Sequence, residues 1–392
     1  MRVLFLNTAT QPPLGADTWV HVQLMRDLDR STTEVHTALV PGTPTAQAVA
    51  GIPDLHVLHV DLGPELGGRS LTGKVRALVA TLPAIPSLFR LARYVRRHRI
   101  DVIHTSDRPR DAMACVLLSR VTRARSLIHC HVAYADWMGG MLRWSLHHAD
   151  ALVAISEFVA ATLVAGGVDP RRVHVVLNGI RTDSWHPGLG RAEARRGLGV
   201  DDDTPVVITA CRLFPGKGPA ELIKAIGVVR ETVPDVRLLV VGQDVTPGEE
   251  FSAQLRALIA ELGLQDNAAL LGRRDDLPAL MAAADVFAMP STGEPFGLVF
   301  AEAMAMRLPV VGLDDGGTPE VVEHGRSGLL SHHGDIDVLA ANLLALIQNP
   351  RRRAEMGDYG HRQVDVRFTT ERAASQMAEL YPLVVSVSAK SS

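Results

Sequence analysis

Short apolar runs alternate along this chain with longer amphipathic segments, and that alternation leaves few folds open. "RVLFLN", "VHTALV", "LHVLHVD", "DVIHTS", "SLIHCHV" and "ALVAIS" have the length and continuous apolar character of strands covered on both faces, the habit of a parallel sheet. "RALVATLPAIPSLFRLARYVRRH" and "EFVAATLVAGG" have helical length and lie between them. From about residue 205 the series restarts with "PVVITA", "VRLLVVG", "AALLG", "DVFAMPS" and "LPVVGL", again with helices between. Two successive βα series predict an α/β chain of two doubly wound, Rossmann-like domains. Gly, Pro and charge accumulate in "HPGLGRAEARRGLGVDDDTP", which marks the join. The expected domains are therefore 1–186 and 187–366, with a C-terminal helix over 367–386 returning to the first and "SVSAKSS" as a frayed tail.

A chain of 392 residues with 47% hydrophobic and 21% charged residues has ample core for two such domains. Its net charge of −3 gives no reason to expect nucleic acid as a partner. Cys115, Cys130 and Cys211 are odd in number, far apart and set in apolar runs, so neither a disulfide framework nor a zinc site is expected and a reducing cytoplasm fits. "MRVLFLNTAT" is too short an apolar run for a signal peptide, and no membrane span is expected, since no run approaches the roughly 18 apolar residues one needs.

In doubly wound domains ligands bind beyond the carboxyl ends of the strands, so chemistry is sought there, in the cleft that two facing domains generate. "EPFGLVFAEAMAMRLPVV" follows one such strand. Pro295 pushes Glu294 out of the helical region, so the S-x-x-E spacing of Ser291 and Glu294 is a poor capping box. A helix beginning near Gly297 or Leu298 and running toward Arg307 is expected. Glu294 then precedes its positive end and Glu302 lies about one turn inside. That end receives phosphate, and two carboxylates accept from hydroxyls.

After "VVITA" comes "CRLFPGKGP", whose turn carries Arg212 and Lys217 to one anion, a guanidinium fork beside a point charge. It is not a P-loop, because Gly218 stands where Ser or Thr would follow the lysine. After "SLIHC" comes His131, with His129 and His104 equally plausible on composition alone. Asp107 and Arg108 also follow a strand and read as structural. Asp201 and Asp203 in "VDDDTP" have D-x-D spacing but lie in the join before a strand, where a solvated turn is expected.

"CRLFPGKG", "STGEPFGLVFAEAMAMRLPVV" and "DDGGTPEVVEHGRSGLL" together resemble the family 4 retaining glycosyltransferases of GT-B fold, whose signature is the E-x7-E spacing of Glu294 and Glu302. "VLNGIRTDSWHP" and "LPALMAAADVFAMPS" extend the resemblance, which is strong from about 170 to 335 and looser before. It implies a metal-independent hexosyltransferase-type enzyme of bacterial kind that moves a sugar from a nucleotide-diphosphate sugar to an acceptor hydroxyl, with no cofactor. It implies that Glu294 contacts the donor sugar, Glu302 the ribose, and the amides of Phe296, Gly297, Leu298 and Val299 the sugar and diphosphate. Arg212 and Lys217 neutralise the leaving group, His131 faces the reacting sugar, and Gly15 packs against the phosphates. The chain departs from the family in having Gly15-Ala16 for Gly-Gly and Cys211 for a glycine. A nucleotide-sugar epimerase and a non-catalytic nucleotide-sugar binding protein are the alternatives. The first would carry acid/base carboxylates in both domains, and the second would lack His131.

The acceptor, whether small molecule, glycan or lipid-linked, is not legible. Lys74, Arg76, Arg90, Arg93, Arg96, Arg97 and Arg99 make residues 74–100 basic enough to rest on an anionic bilayer. Pro83 and Pro86 break the stretch, so a solvated helix face and a soluble enzyme are expected.

Overall fold

The computed structural model describes residues 1–10, 15–63, 84–185, 187 and 190–386. Two compact units result: Met1–Gly179 together with the chain from Thr370 onward, and Ile180–Thr369. In the first, strands β1 (Arg2–Asn7), β2 (Glu34–Leu39), β3 (Leu55–His59), β4 (Val102–Ser106), β5 (Arg125–Cys130), β6 (Ala151–Ala154) and β7 (Val173–Val175) form one sheet in the order β3-β2-β1-β4-β5-β6-β7. Every pairing is parallel. In the second, β8 (Val206–Ala210), β9 (Arg237–Val241), β10 (Ala268–Gly272), β11 (Val286–Met289), β12 (Val310–Leu313) and β13 (Gly328–Ser331) lie in the order β10-β9-β8-β11-β12-β13, again all parallel. Both are doubly wound α/β sheets. Their order reverses between β1 and β4 in one and between β8 and β11 in the other, and loops that leave adjacent strands at a reversal diverge to open a crevice.

The central strands are buried along their whole length, which is why β8 and β11 read as nearly continuous apolar runs. Helices supply the cover by helical spacing: Pro219–Thr232 buries Leu222, Ile226 and Val229, and Ile336–Ile347 packs beside it through Leu339, Leu343 and Leu346. β7 and β13 are absent from the runs expected above. β7 has three half-buried residues at a sheet edge, and β13 opens on Gly328, so neither carries a strand's apolar signature.

The division between units falls at Gly179/Ile180, earlier than the Gly- and Pro-rich stretch suggests. Ile180 N–H donates to the carbonyl of Phe368 at 2.8 Å, so the segments that enter and leave the second unit are tied together within it. The stretch itself belongs to the second unit because its arginines are structural. Arg195, 1% exposed, donates to the carbonyls of Ala283 (2.7 Å), Asp201 (2.6 Å) and Thr204, and Arg191 pairs with Asp285 at 2.8 Å. Asp201, Asp202 and Asp203 stay exposed in the turn this guanidinium holds.

The last helix, Thr370–Ser386, packs on Ala16–Asp27 in the first unit and buries Tyr381. Of the basic stretch, Lys74, Arg76 and Pro83 lie outside the described residues. Helix Ala84–Arg97 buries Leu91 and Val95, while Arg90 and Arg96 donate to the carbonyls of His59 and Val121 at 2.8 and 2.6 Å. Among the described residues no helix is long and apolar enough to cross a membrane.

Candidate functional site

The reversal between β8 and β11 puts the loops after those strands side by side. Thr292 N–H donates to the Gly216 carbonyl at 3.0 Å and Ser291 Oγ donates to the same oxygen at 3.2 Å, which locks "FPGK" to "STGE". This brings Lys217 Nζ onto Glu294 Oε2, an ion pair to which Ser291 Oγ adds a 3.0 Å hydrogen bond. The S-x-x-E spacing is thus a real contact between side chains, without a capping box. Both partners are largely buried, with side-chain exposures of 15% for Lys217 and 9% for Glu294.

A third loop fixes the backbone of Glu294. Gly317 N–H donates to the Glu294 carbonyl at 2.6 Å, and Gly293 N–H donates to Asp315 Oδ2 at 2.7 Å. Gly316 sits at φ +62°, and a side chain there would meet the Glu294 backbone at 2.6 Å. Glycine in "DDGG" is therefore required by the close passage of the carboxylate's own main chain.

Gly297, at φ +89°, turns the chain into the helix Leu298–Ala305. That helix stops short of Arg307, which adopts φ +59° ahead of Pro309. Phe300 N–H bonds back to the Gly297 carbonyl at 2.9 Å, leaving the amides of Leu298 and Val299 as the donors a helix start cannot use internally. Arg212 is exposed, and its guanidinium lies 5.9 Å from the Phe214 ring, with Lys217 Nζ 6.0 Å from the same ring. Phe214, which the sequence reading passes over, spaces the two cations by cation–π contact.

Glu302 is half-buried, and its carboxylate has no partner among the described residues; burial pushes it up to about 7. A hydroxyl-bearing ligand that donates to this carboxylate favours its charged form. With the ribose contact that the resemblance implies for Glu302, nucleoside diphosphate affinity should strengthen as pH rises through about 7, with a proton released on binding below that pH. Titration calorimetry in buffers of different ionisation heat measures that proton. An unchanged number of released protons in Glu302→Gln would separate Glu302 from the ligand, since the diphosphate's own protonation is common to both proteins.

Sequence reasoning also misses a hollow of about 460 Å³ within this unit, beyond the carboxyl ends of β8, β9 and β10, lined by Leu213, Gly242, Gln243, Asp244, Arg256 and Arg273 among others. Gly242 is glycine because a side chain there would meet the Cys211 carbonyl at 1.7 Å. Asp244 is occupied by Thr246 and Ser252, whose hydrogen bonds, against the effect of burial, hold it down at about 2. The signal for this hollow was positional only: glycines at the carboxyl ends of two neighbouring strands, Gly242 after β9 and Gly272 closing β10.

In the first unit, His131 is the first residue beyond β5. Asp107, beyond β4, accepts from the amides of His131 (2.8 Å) and Val132 (3.1 Å), so it anchors the loop that carries the histidine. Arg108 pairs with Asp17 at 2.7 Å. A side chain at Gly15 would meet Asp17 Oδ1 at 2.4 Å and Arg108 at 3.3 Å, so this glycine makes room for that ion pair. The His131 ring adjoins His129 and His21, with centroids 4.4 and 5.8 Å away, and His104 lies 5.4 Å from His129. Of the three histidines that composition left level, two are wholly buried in strands, and His131 alone is half-buried.

Two family models divide the sequence as the units do. The one described as Glycosyltransferase Family 4 matches residues 22–184, and the one described as Glycosyl transferases group 1 matches residues 190–363. The chain belongs to the family 4 glycosyltransferases. Within the family it is 36% identical over 257 residues to an alpha-maltose-1-phosphate synthase of Mycolicibacterium smegmatis, covering 61% of this chain and 64% of that one. A D-inositol 3-phosphate glycosyltransferase of Corynebacterium urealyticum is 34% identical over 60% of this chain and 57% of its own length. These matches span somewhat less than two thirds of the relatives. The crystal structure of Anabaena HepE in complex with UDP superposes with a TM-score of 0.80 at 24% identity, covering 97% of this chain and 99% of that one. That likeness establishes the GT-B fold for this family member.

Proposed function

We propose that the chain transfers a sugar from a nucleotide-diphosphate sugar to an acceptor hydroxyl, with retention at the anomeric carbon and without a divalent metal. The observation that carries this reading is the Lys217–Glu294 pair beside the free amides of Leu298 and Val299. A cation and helix-end amides suit a diphosphate, and a carboxylate suits sugar hydroxyls. In the ligand-free protein the two charges neutralise each other; a donor gives each a partner of its own.

The roles follow from position. Glu294 accepts from hydroxyls of the donor sugar and Glu302 from those of the ribose. The amides of Phe296, Gly297, Leu298 and Val299, with Lys217 and Arg212, hold the diphosphate, and the hollow beyond β8–β10 takes the nucleobase. As the bond from the anomeric carbon to the phosphate oxygen breaks, its electron pair stays on that oxygen and the growing charge meets fixed donors. The acceptor oxygen attacks from the same face, and its proton passes to the departing phosphate. His131 faces the reacting sugar, and Gly15 belongs to the phosphate loop. Glu294 and Glu302 are hydroxyl acceptors in this scheme, unlike the acid/base couple of glycoside hydrolysis. The anchored His131 loop and the pairing of Glu294 with Lys217 favour transfer over the epimerase or binding-protein alternatives. We take the acceptor to be a small hydrophilic molecule met in the cytoplasm.

A thermal-shift screen of nucleotide sugars, followed by donor turnover with and without acceptor hydroxyls, tests the reading. A true donor at 100 times its Kd stabilises the fold by about 2.7 kcal/mol. Stabilisation by no nucleotide sugar, or turnover that yields an epimer and no transfer, would overturn it.

A further inference from the structure

Beneath the helix Ala16–Asp27 lies a group of imidazoles of which the proposed transfer reaction uses only His131. β4 and β5 pair with Ser106 opposite His129, so His104 and His129 project from the same face of the sheet. His21 comes down onto them from the helix, and His131 follows from the end of β5. The rings touch: His21 lies 4.7 Å from His104 and 5.5 Å from His129, centroid to centroid, with His131 4.4 Å beyond. His21 is 0% and His129 1% exposed.

Their polar atoms are unsatisfied. Neither ring nitrogen of His21 or His129 has a hydrogen-bond partner, nor has Nε2 of His131 or Nε2 of His104. Buried polar atoms are nearly always paired, and several orphans around one point call for a common partner. Every neutral imidazole has one nitrogen that can only accept, so one species bearing several donor directions, or one cation, would satisfy these atoms together.

We propose that His21, His129 and His131 form a transition-metal site of the Zn²⁺ class. One nitrogen from each lies within 4.8 Å of the others. Three nitrogens bonded to zinc at about 2.0–2.1 Å stand roughly 3.4 Å apart, so small ring rotations close the set. The neutral nitrogen donors suit Zn²⁺, Cu²⁺ or Ni²⁺ over Mg²⁺ or Ca²⁺. The carboxylate of Asp17, held at 2.7 Å by Arg108, stands on the same helix as His21 and offers a compensating charge. His131 is the half-buried member, and its loop is the way in. An ion here occupies Nε2 of His131, so Zn²⁺ acts as an inhibitor of transfer; that consequence, unlike the site, rests on the role proposed for His131.

The test is Zn²⁺ binding to the full-length protein in competition with a chromophoric chelator, with transfer assayed separately. One ion per chain is expected, weakened at least about tenfold in His21→Gln and in His129→Gln, each checked for a native thermal transition. Glu34, His36 and His56 form the other cluster of ligating groups among the described residues, and His56→Ala is expected to leave binding unchanged. X-ray absorption of the zinc-loaded wild-type protein should count three imidazole nitrogens, which keeps the question decidable if a variant does not fold. No zinc retained against the chelator, a shell of fewer than two imidazoles, or loss of binding in His56→Ala alone would overturn the site. Zinc bound with these ligands but without effect on transfer would retain the site and remove His131 from the reaction.

Discussion

Replacing Glu294 by alanine is expected to lower sugar transfer by about 100-fold or more while leaving nucleoside diphosphate affinity unchanged or slightly tighter. Transfer should fall because the group proposed to orient the donor sugar is gone. Affinity holds because Lys217, no longer claimed by the Glu294 carboxylate, is wholly available to phosphate. The reverse substitution is not equivalent. Lys217→Ala strands a carboxylate with 9% exposure, relieved among the described residues by Ser291 alone, and should cost about 3 kcal/mol of stability, the low end for breaking a buried pair. Calorimetric titration with nucleoside diphosphate and thermal melts of both variants measure the contrast. Equal losses of affinity in the two would mean that Glu294 does not bind the sugar.

Lys217→Ala and Arg212→Ala should each reduce kcat by about 10²–10³-fold, with a smaller rise in KM, since charge on the leaving oxygens grows toward the transition state. Phe214 stands near 6 Å from both cations, so losing either leaves the other in position and the effects should combine without full collapse. Wild-type activity should persist in excess EDTA, and rise if zinc had been bound at the histidines. Complete loss with EDTA and recovery on manganese would place a divalent ion in the role given to Arg212 and Lys217.

What the sequence discloses and what it hides have the same physical origin. Strands such as β4 and β8 are covered on both faces, so their apolar runs are set locally and can be read without the fold. The helix after Gly297 is equally local. Contacts that depend on strand order are invisible until the order is known. Lys217 and Glu294 are 77 residues apart and meet only because β8 and β11 are neighbours. Arg108 stands beside Asp107 in the chain yet pairs with Asp17, 91 residues away, because β1 and β4 are neighbours. His21, in a helix of ordinary composition, gave no signal at all; it matters only because that helix covers the face carrying His104 and His129. The basic helix was legible as a pattern, but the carbonyl partners of Arg90 and Arg96 belong to other elements and were not.

The return of the helix Thr370–Ser386 makes the second unit an insertion within the first, its two ends joined by the Ile180–Phe368 hydrogen bond. During synthesis the ribosome therefore delivers all of the second unit before the first has its last helix. Tyr381, whose hydroxyl meets His104 Nδ1 at 2.9 Å, arrives last of the residues around the imidazoles. The nested unit can finish folding while its host waits with an apolar face open, so order of birth and order of completion run opposite ways in this molecule.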